Sequence, residues 1–340
     1  LNIARRASEW QARAGDRFVK PWMITALVAL AAALPLPSLA QSSGDKPIKM
    51  VVPYPPGGST DQVARFIASK LGPALGRTVV IENRGGASGM IGAEQVAKSA
   101  PDGNTLLMTA SGPHSINPSL FPKMSYDPAK DFTPIVLTAV YPLLMVVPAD
   151  HPAKDVREFI AWAKARNGAA NYCSIGPGTP SHLAGELFKS MAGVQMTHVP
   201  YKGSAQAITD AIAGQCAVLF DSALSSGPQV KAGKLRALAI GSKDRVASWP
   251  ALPTVSEAAL AGYEAYTWTA LVAPTGTPPE MITRLNAETV KILGSAEYRE
   301  KLDAQGAIPG GGSPAQLGAF AESETRKWGK LIRDGNIKPE

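Results

Sequence analysis

The chain is poor in the residues that most readily carry chemistry. Its 340 residues include two cysteines and four histidines, and aromatic residues make up 6%. His114, His151, His182 and His198 are scattered, without the His-Glu-x-x-His spacing of a zinc hydrolase. There is no Gly-x-Ser-x-Gly elbow, and no Gly-rich loop closes on Lys-Ser or Lys-Thr. Gly176-x-Gly178-x-x-Ser181 nearly imitates a dinucleotide fingerprint, but Val199-Pro200-Tyr201 stands where its acidic partner is expected. No nucleophile, base and orienting group come together. The expectation is therefore a binding protein rather than an enzyme, with no cofactor and no metal. No dense Lys/Arg stripe with interleaved aromatics is present, so nucleic acid is not an expected partner. The 32 glycines carry no three-residue period, which excludes a collagen-like chain.

What is present is enough for a substantial core. Hydrophobic residues make up 45% and charged residues 18%, a globular balance. A single core usually stops growing at about 250–300 residues, so a divided structure is expected. The chain opens with Arg5, Arg6, Arg13, Arg17 and Lys20, followed by a stretch from Pro21 to Gly44 with no charged residue. Met23 to Leu34 is its apolar heart, and Ser38-Leu39-Ala40 offers small residues for cleavage. This is the layout of a secretory signal peptide over residues 1–40, with Gln41 as the mature start. Pro35 and Pro37 interrupt it before the ~20 apolar residues that a membrane anchor needs. Those 40 residues hold five basic and two acidic residues, so their removal lowers the formal charge from +7 to +4. That mild positive balance suits anionic small ligands. Cys173 and Cys216 both lie in the exported part, where disulfides persist. A Cys173–Cys216 bridge is the expectation, and two buried thiols are the alternative.

Strands and helices alternate along the rest of the chain, which reads as α/β with largely parallel sheets. The first half runs from a strand at Ile48 to Val52 through a Pro/Gly turn into a helix from Thr60. A strand at Val79 to Ile81, a Gly-rich loop, a helix and a strand at Leu106 to Thr109 follow. The second half repeats this order from Asn171, through Gly176-Pro177-Gly178-Thr179-Pro180, to a strand at Ala217 to Phe220. Leu143 to Val147 and Tyr266 to Ala273 read as two strands crossing between the halves. The expected lobes are 46–146 with a returning 269–340, and 147–268, joined as a hinge.

Gly/Pro turns that feed helix N-termini leave N–H groups unpaired, at the positive end of the helix dipole. Gly57, Gly58, Gly176 and Gly178 let backbone approach a ligand closely, while Ser59, Thr60, Thr179 and Ser181 can cap or donate. Two such turns facing each other across a cleft would grip a carboxylate from both sides. Tyr54, His114, Tyr201, Asp221 and Trp268 follow strand ends or lie in a crossing strand, so they are candidates to line the same cleft. For His182, near the start of a helix, a surface or capping role is expected.

The stretch Val51-Val52-Pro53-Tyr54-Pro55-Pro56-Gly57-Gly58-Ser59-Thr60-Asp61 resembles the first ligand loop of the Bug-type extracytoplasmic solute-binding proteins, which serve tripartite tricarboxylate transporters. Asn83-Arg84-Gly85-Gly86-Ala87-Ser88-Gly89, Pro180-Ser181-His182-Leu183-Ala184-Gly185-Glu186 and His198-Val199-Pro200-Tyr201-Lys202-Gly203 are similar to further stretches of that family, in order along the whole mature chain. The resemblance implies a two-lobed periplasmic-binding-protein type II fold, with each lobe a mostly parallel sheet flanked by helices and two hinge strands between them. It implies a monomeric periplasmic receptor, delivering a small carboxylate (dicarboxylate, tricarboxylate, amino acid or aromatic acid) to a membrane permease. By position, it places the ligand at Pro55, Pro56, Gly57, Gly58 and Ser59, and at Gly176, Gly178, Thr179, Pro180 and Ser181, with Ser111 and Asp221 nearby. Asp221-Ser222-Ala223-Leu224 and Thr267-Trp268-Thr269 depart from the family's usual residues, which leaves the ligand open. The alternatives are a ligand-presenting subunit of a signalling system and an exported enzyme acting on carboxylated substrates.

Overall fold

The computed structural model describes residues 46–338, so the expected signal peptide lies outside the described residues. Among the described residues, no helix is long and apolar enough to cross a membrane. The strands of the described residues, in chain order, are β1 (Ile48–Val52), β2 (Val79–Asn83), β3 (Thr105–Ala110), β4 (Phe132–Pro148), β5 (Asn171–Ser174), β6 (Thr197–Pro200), β7 (Val218–Ser222), β8 (Leu235–Ile240), β9 (Tyr266–Pro274) and β10 (Ile308–Gly311). Their order is β2-β1-β3-β9-β4-β7-β5-β6, with β8 and β10 also paired to β4. The outer trios β2-β1-β3 and β7-β5-β6 are each parallel, as crossover helices require. The long central strands β9 and β4 run antiparallel to their neighbours.

The 17-residue β4 serves both halves. Its first part, through Pro142, pairs with β9 and β10, and from Leu143 onward it pairs with β7 and β8. The sequence reading gave this strand only as Leu143 to Val147, whereas it runs from Phe132 to Pro148. The structure accommodates Pro134 beside a register shift, and places Pro142 where β9 ends and the partners change, positions where a missing N–H is tolerated. β9 lies wholly on the first side, and the chain re-enters that side just before it. There Gly241 donates to the carbonyl of Leu143 (2.7 Å), Ala265 donates to that of Gly241 (2.8 Å) and Leu143 donates to that of Ala265 (3.1 Å). A Cβ on Gly241 would meet the Ala265 carbonyl oxygen, so only glycine allows this close backbone junction.

Each half has its own core. On the first side, the helix Ser59–Leu75 buries Val63, Ile67 and Leu71 on one face, at the i, i+4 spacing of an amphipathic helix. They pack against Met50, Met108 and Leu285. On the second side, Phe159, Phe188, Phe220 and Tyr263 pack behind β5 and β7. The C-terminal helix Pro314–Asp334 touches both sides, with Trp328 and Ile332 meeting Ile116, Leu120 and Leu183.

Cys173 and Cys216 are fully buried on the second side and joined as a disulfide, with Cα atoms 5.7 Å apart. Closing a loop of this length stabilises a fold by about 2–4 kcal/mol, chiefly by restricting the unfolded chain. Thiol titration of the unreduced, unfolded protein should find no free thiol, and the double Cys→Ala variant should unfold at lower urea. Two titratable thiols, or an unchanged midpoint, would contradict the bridge.

Candidate functional site

Between the two halves lies a cavity of about 490 Å³, within the usual range for small-ligand sites. Tyr54, Gly112, Asn117, Leu120 and Phe121 form much of one wall, and Pro177–Pro180 with Tyr201 and Lys202 form the other. Lys202 is the one charged side chain lining it. Among the described residues it makes no ion pair, and no hydrogen bond ties it down.

The first turn is rigid. Asp61 accepts from the Gly57 N–H (2.9 Å), Arg65 Nε (2.9 Å) and Asn83 Nδ2 (2.8 Å), and Asn83 also donates to the Tyr54 carbonyl at 3.1 Å. Burial raises the Asp61 pKa, but the bonds from Arg65, Gly57 and Asn83 outweigh it and leave the carboxyl below its ordinary value. Pro55 to Gly58 are exposed, and the helix behind them starts at Gly58 without a side-chain cap. The Ser59 and Thr60 amides therefore keep the unpaired N–H groups of a helix start. Tyr54 puts its ring on the cavity wall, and burial pushes its hydroxyl pKa up.

The second turn differs from the sequence expectation, because the amides of Gly176, Gly178 and Thr179 are already engaged. Gly176 donates to Ser174 Oγ (3.2 Å), Gly178 to His182 Nδ1 (3.0 Å) and Thr179 to the Gly176 carbonyl (3.3 Å). Pro177 and Pro180 have no N–H to offer. Thr179 Oγ1 donates to the Gly176 carbonyl at 2.6 Å, and Ser181 is buried with its hydroxyl on the Phe220 carbonyl. What this turn presents to the cavity is shape, through Pro177, Gly178, Thr179 and Pro180. The charge comes from Lys202, next to Tyr201, whose hydroxyl donates to Asp210 and is pushed up to about 12 by burial and that bond.

Several candidates are not on the cavity lining: Pro55 to Ser59, Gly176 and Ser181 are not among its residues, and others sit behind it. Ser111 is buried, with its Oγ 2.7 Å from Thr267 Oγ1. Trp268 is 0% exposed, edge-on to His114 at 5.7 Å and to Phe320 at 5.5 Å. Burial holds His114 down to about 4. Asp221 is 2% exposed and accepts from Ser204 (2.8 Å) and Ser226 (2.7 Å), with burial raising its pKa against those bonds. Sequence reasoning missed Gly112, Asn117, Leu120 and Phe121, which a π-type turn (Gly112–Ile116) and a short helix (Asn117–Leu120) carry into the cleft. It also missed Lys202, although this residue directly follows the selected Tyr201.

Two sheet halves sharing one long strand, with a cavity at their seam, define a two-lobed periplasmic-binding-protein type II fold. The profile of the family described as "Tripartite tricarboxylate transporter family receptor" matches residues 63–337, and the chain belongs to that family. It is 37% identical over 308 residues to protein BugT of Bordetella pertussis, covering 90% of this chain and 94% of BugT. A solved structure of R. palustris Rpa4515 with adipate is 40% identical, with a TM-score of 0.74 over 86% of this chain and 98% of that one. MatC of Rhodopseudomonas palustris, solved with bound malate, is 33% identical, with a TM-score of 0.70 over 84% and 98%.

Asp61→Ala should loosen the first turn by stranding three donors, at a cost of about 1–3 kcal/mol. Because the folded pKa is lowered, the stabilisation is present above the ordinary carboxylate value and is lost as pH falls through the folded one. Urea midpoints measured from pH 7 to pH 3 should therefore fall for the wild type and converge on the variant. Parallel curves would contradict this role.

Proposed function

We propose that this receptor captures a small dicarboxylate in the inter-lobe cleft and delivers it to the membrane permease of a tripartite tricarboxylate transporter. The observation that carries the reading is the unpaired Lys202, alone in charge on the cavity wall. On the opposite half, the Ser59 and Thr60 amides at an uncapped helix start supply a second set of donors. One carboxylate meets the amides and the other the ammonium, with Tyr54 and the Pro177–Pro180 turn enclosing the carbon chain. The adipate and malate held by two relatives are both dicarboxylates, which supports the same class. The protein works in the periplasm after loss of residues 1–40. Its lobes close about the Leu143, Gly241 and Ala265 junction, and ligand biases the closed state.

A ligand at a hundredfold excess over Kd adds about 2.7 kcal/mol to the folded state. In a thermal-shift panel, C4 to C6 dicarboxylates should raise Tm by several degrees, and monocarboxylates of the same length should raise it less. Lys202→Gln should weaken dicarboxylate binding about tenfold and leave monocarboxylate binding unchanged. Gly58→Val has open space and an extended backbone, so it should fold normally and lose binding. No shift with any carboxylate would defeat the proposal, and equal responses of the wild type to mono- and dicarboxylates would defeat the role of Lys202.

A further inference from the structure

The turn that shapes the second wall of the cleft rests on a stack of three rings. Tyr172 of β5 and His198 of β6 are partners across the parallel ladder, with ring centroids 4.9 Å apart. His182, in the first turn of the helix Pro180–Ala192, lies on His198 at 4.0 Å with 5° between the planes. It is 7% exposed, so of the surface or capping role expected from the sequence, the surface role is not what it has. Its Nδ1 accepts the Gly178 N–H at 3.0 Å. His198 Nε2 lies 2.7 Å from Ser174 Oγ, which accepts the Gly176 N–H at 3.2 Å. The two imidazoles thus reach both glycines of the turn, one directly and one through a serine. Both glycines have positive φ, +134° at Gly176 and +69° at Gly178.

We infer that His182 is the positioning residue of this turn: its unprotonated Nδ1 holds Gly178 in the left-handed conformation that shapes the cleft wall, and a proton on the ring releases it. The consequence for ligand rests on the reading of the cleft given above, whereas the state of the turn can be measured without ligand. An imidazole accepts through Nδ1 only when neutral with its hydrogen on Nε2, since both nitrogens of imidazolium are donors. The parallel stack at 4.0 Å also opposes charge on both rings. Other groups surround it. Glu186 and Lys189, on the same helix, pair at 2.7 Å, and Glu186 accepts from the Tyr172 hydroxyl. Lys327, Lys330 and Asp334 of the C-terminal helix share a groove with them. Burial, then the charge of His198, bring His182 down to about 4, with Glu186 acting upward and Lys189 downward. The unfolded chain takes up this proton near pH ~6.5. In the folded chain the bond is therefore lost as pH falls through about 4, while folding stability already declines as pH falls from the unfolded value toward it.

The test is NMR of the labelled full chain without ligand. At pH 7, long-range proton–nitrogen correlations should show His182 protonated at Nε2 and bare at Nδ1. Protection of the Gly178 amide from exchange should fall about tenfold in His182→Phe, which loses the acceptor. It should return in His182→Asn, whose Oδ1 can stand in for Nδ1. Between pH 7 and pH 3 the Gly178 amide should shift with the His182 ring in the wild type and stay still in His182→Asn. A hydrogen on Nδ1 at pH 7 would overturn the inference on the wild type alone. Wild-type protection of Gly178 in the Phe variant, or none in a folded Asn variant, would also overturn it.

Discussion

The backbone junction of Leu143, Gly241 and Ala265 is the constraint on which the two-sided architecture turns. It joins the point where β4 changes partners to the point where the chain comes back before β9. Three hydrogen bonds at one level of the sheet bring both passages of the chain to a single line. Gly241 makes this approach possible, since any side chain there would strike the Ala265 carbonyl. Each half keeps a core of its own, so rotation about that line need not break either one. Such a seam both opens a cleft and permits its closure.

The walls of that cleft are made by different means. On the first side, a buried carboxylate stiffens the turn, leaving helix-start amides that need an external acceptor. On the second side, the amides of Gly176, Gly178 and Thr179 are consumed internally and the turn is supported by stacked imidazoles, with charge supplied by a single lysine. In the proposed function, this asymmetry is what distinguishes the two ends of a ligand. Fixed amides suit a planar carboxylate held in one orientation, whereas a flexible ammonium can follow acids of differing length.

Much of this was legible in the sequence. The alternation of strand, Pro/Gly turn and helix gave both parallel trios; of the two turns, the second lines the cavity through Pro177 to Pro180, whereas the first reaches it only at Tyr54. Only the second part of β4 was read from the sequence; its first part, through Pro142, pairs with β9 before the partners change. His114 and Trp268 follow strand positions near the cleft, yet their rings pack inward, and nothing in the local pattern tells a ring that lines a cavity from one that backs it. The engaged amides of the second turn depend on His182 and Ser174, whose positions relative to the turn are set by helix and sheet together. Gly112 to Phe121 reach the cavity through a π-type turn, a geometry with no simple sequence signature.

The most direct test of a carboxylate bridging the two walls is a titration of the labelled protein with the tightest-binding dicarboxylate, followed by amide resonances. The Ser59 and Thr60 amides should move downfield together and saturate with the same Kd as the Lys202 side chain, while Gly178 keeps its bond to His182. Saturable binding that leaves Ser59, Thr60 and Lys202 unmoved would contradict the account.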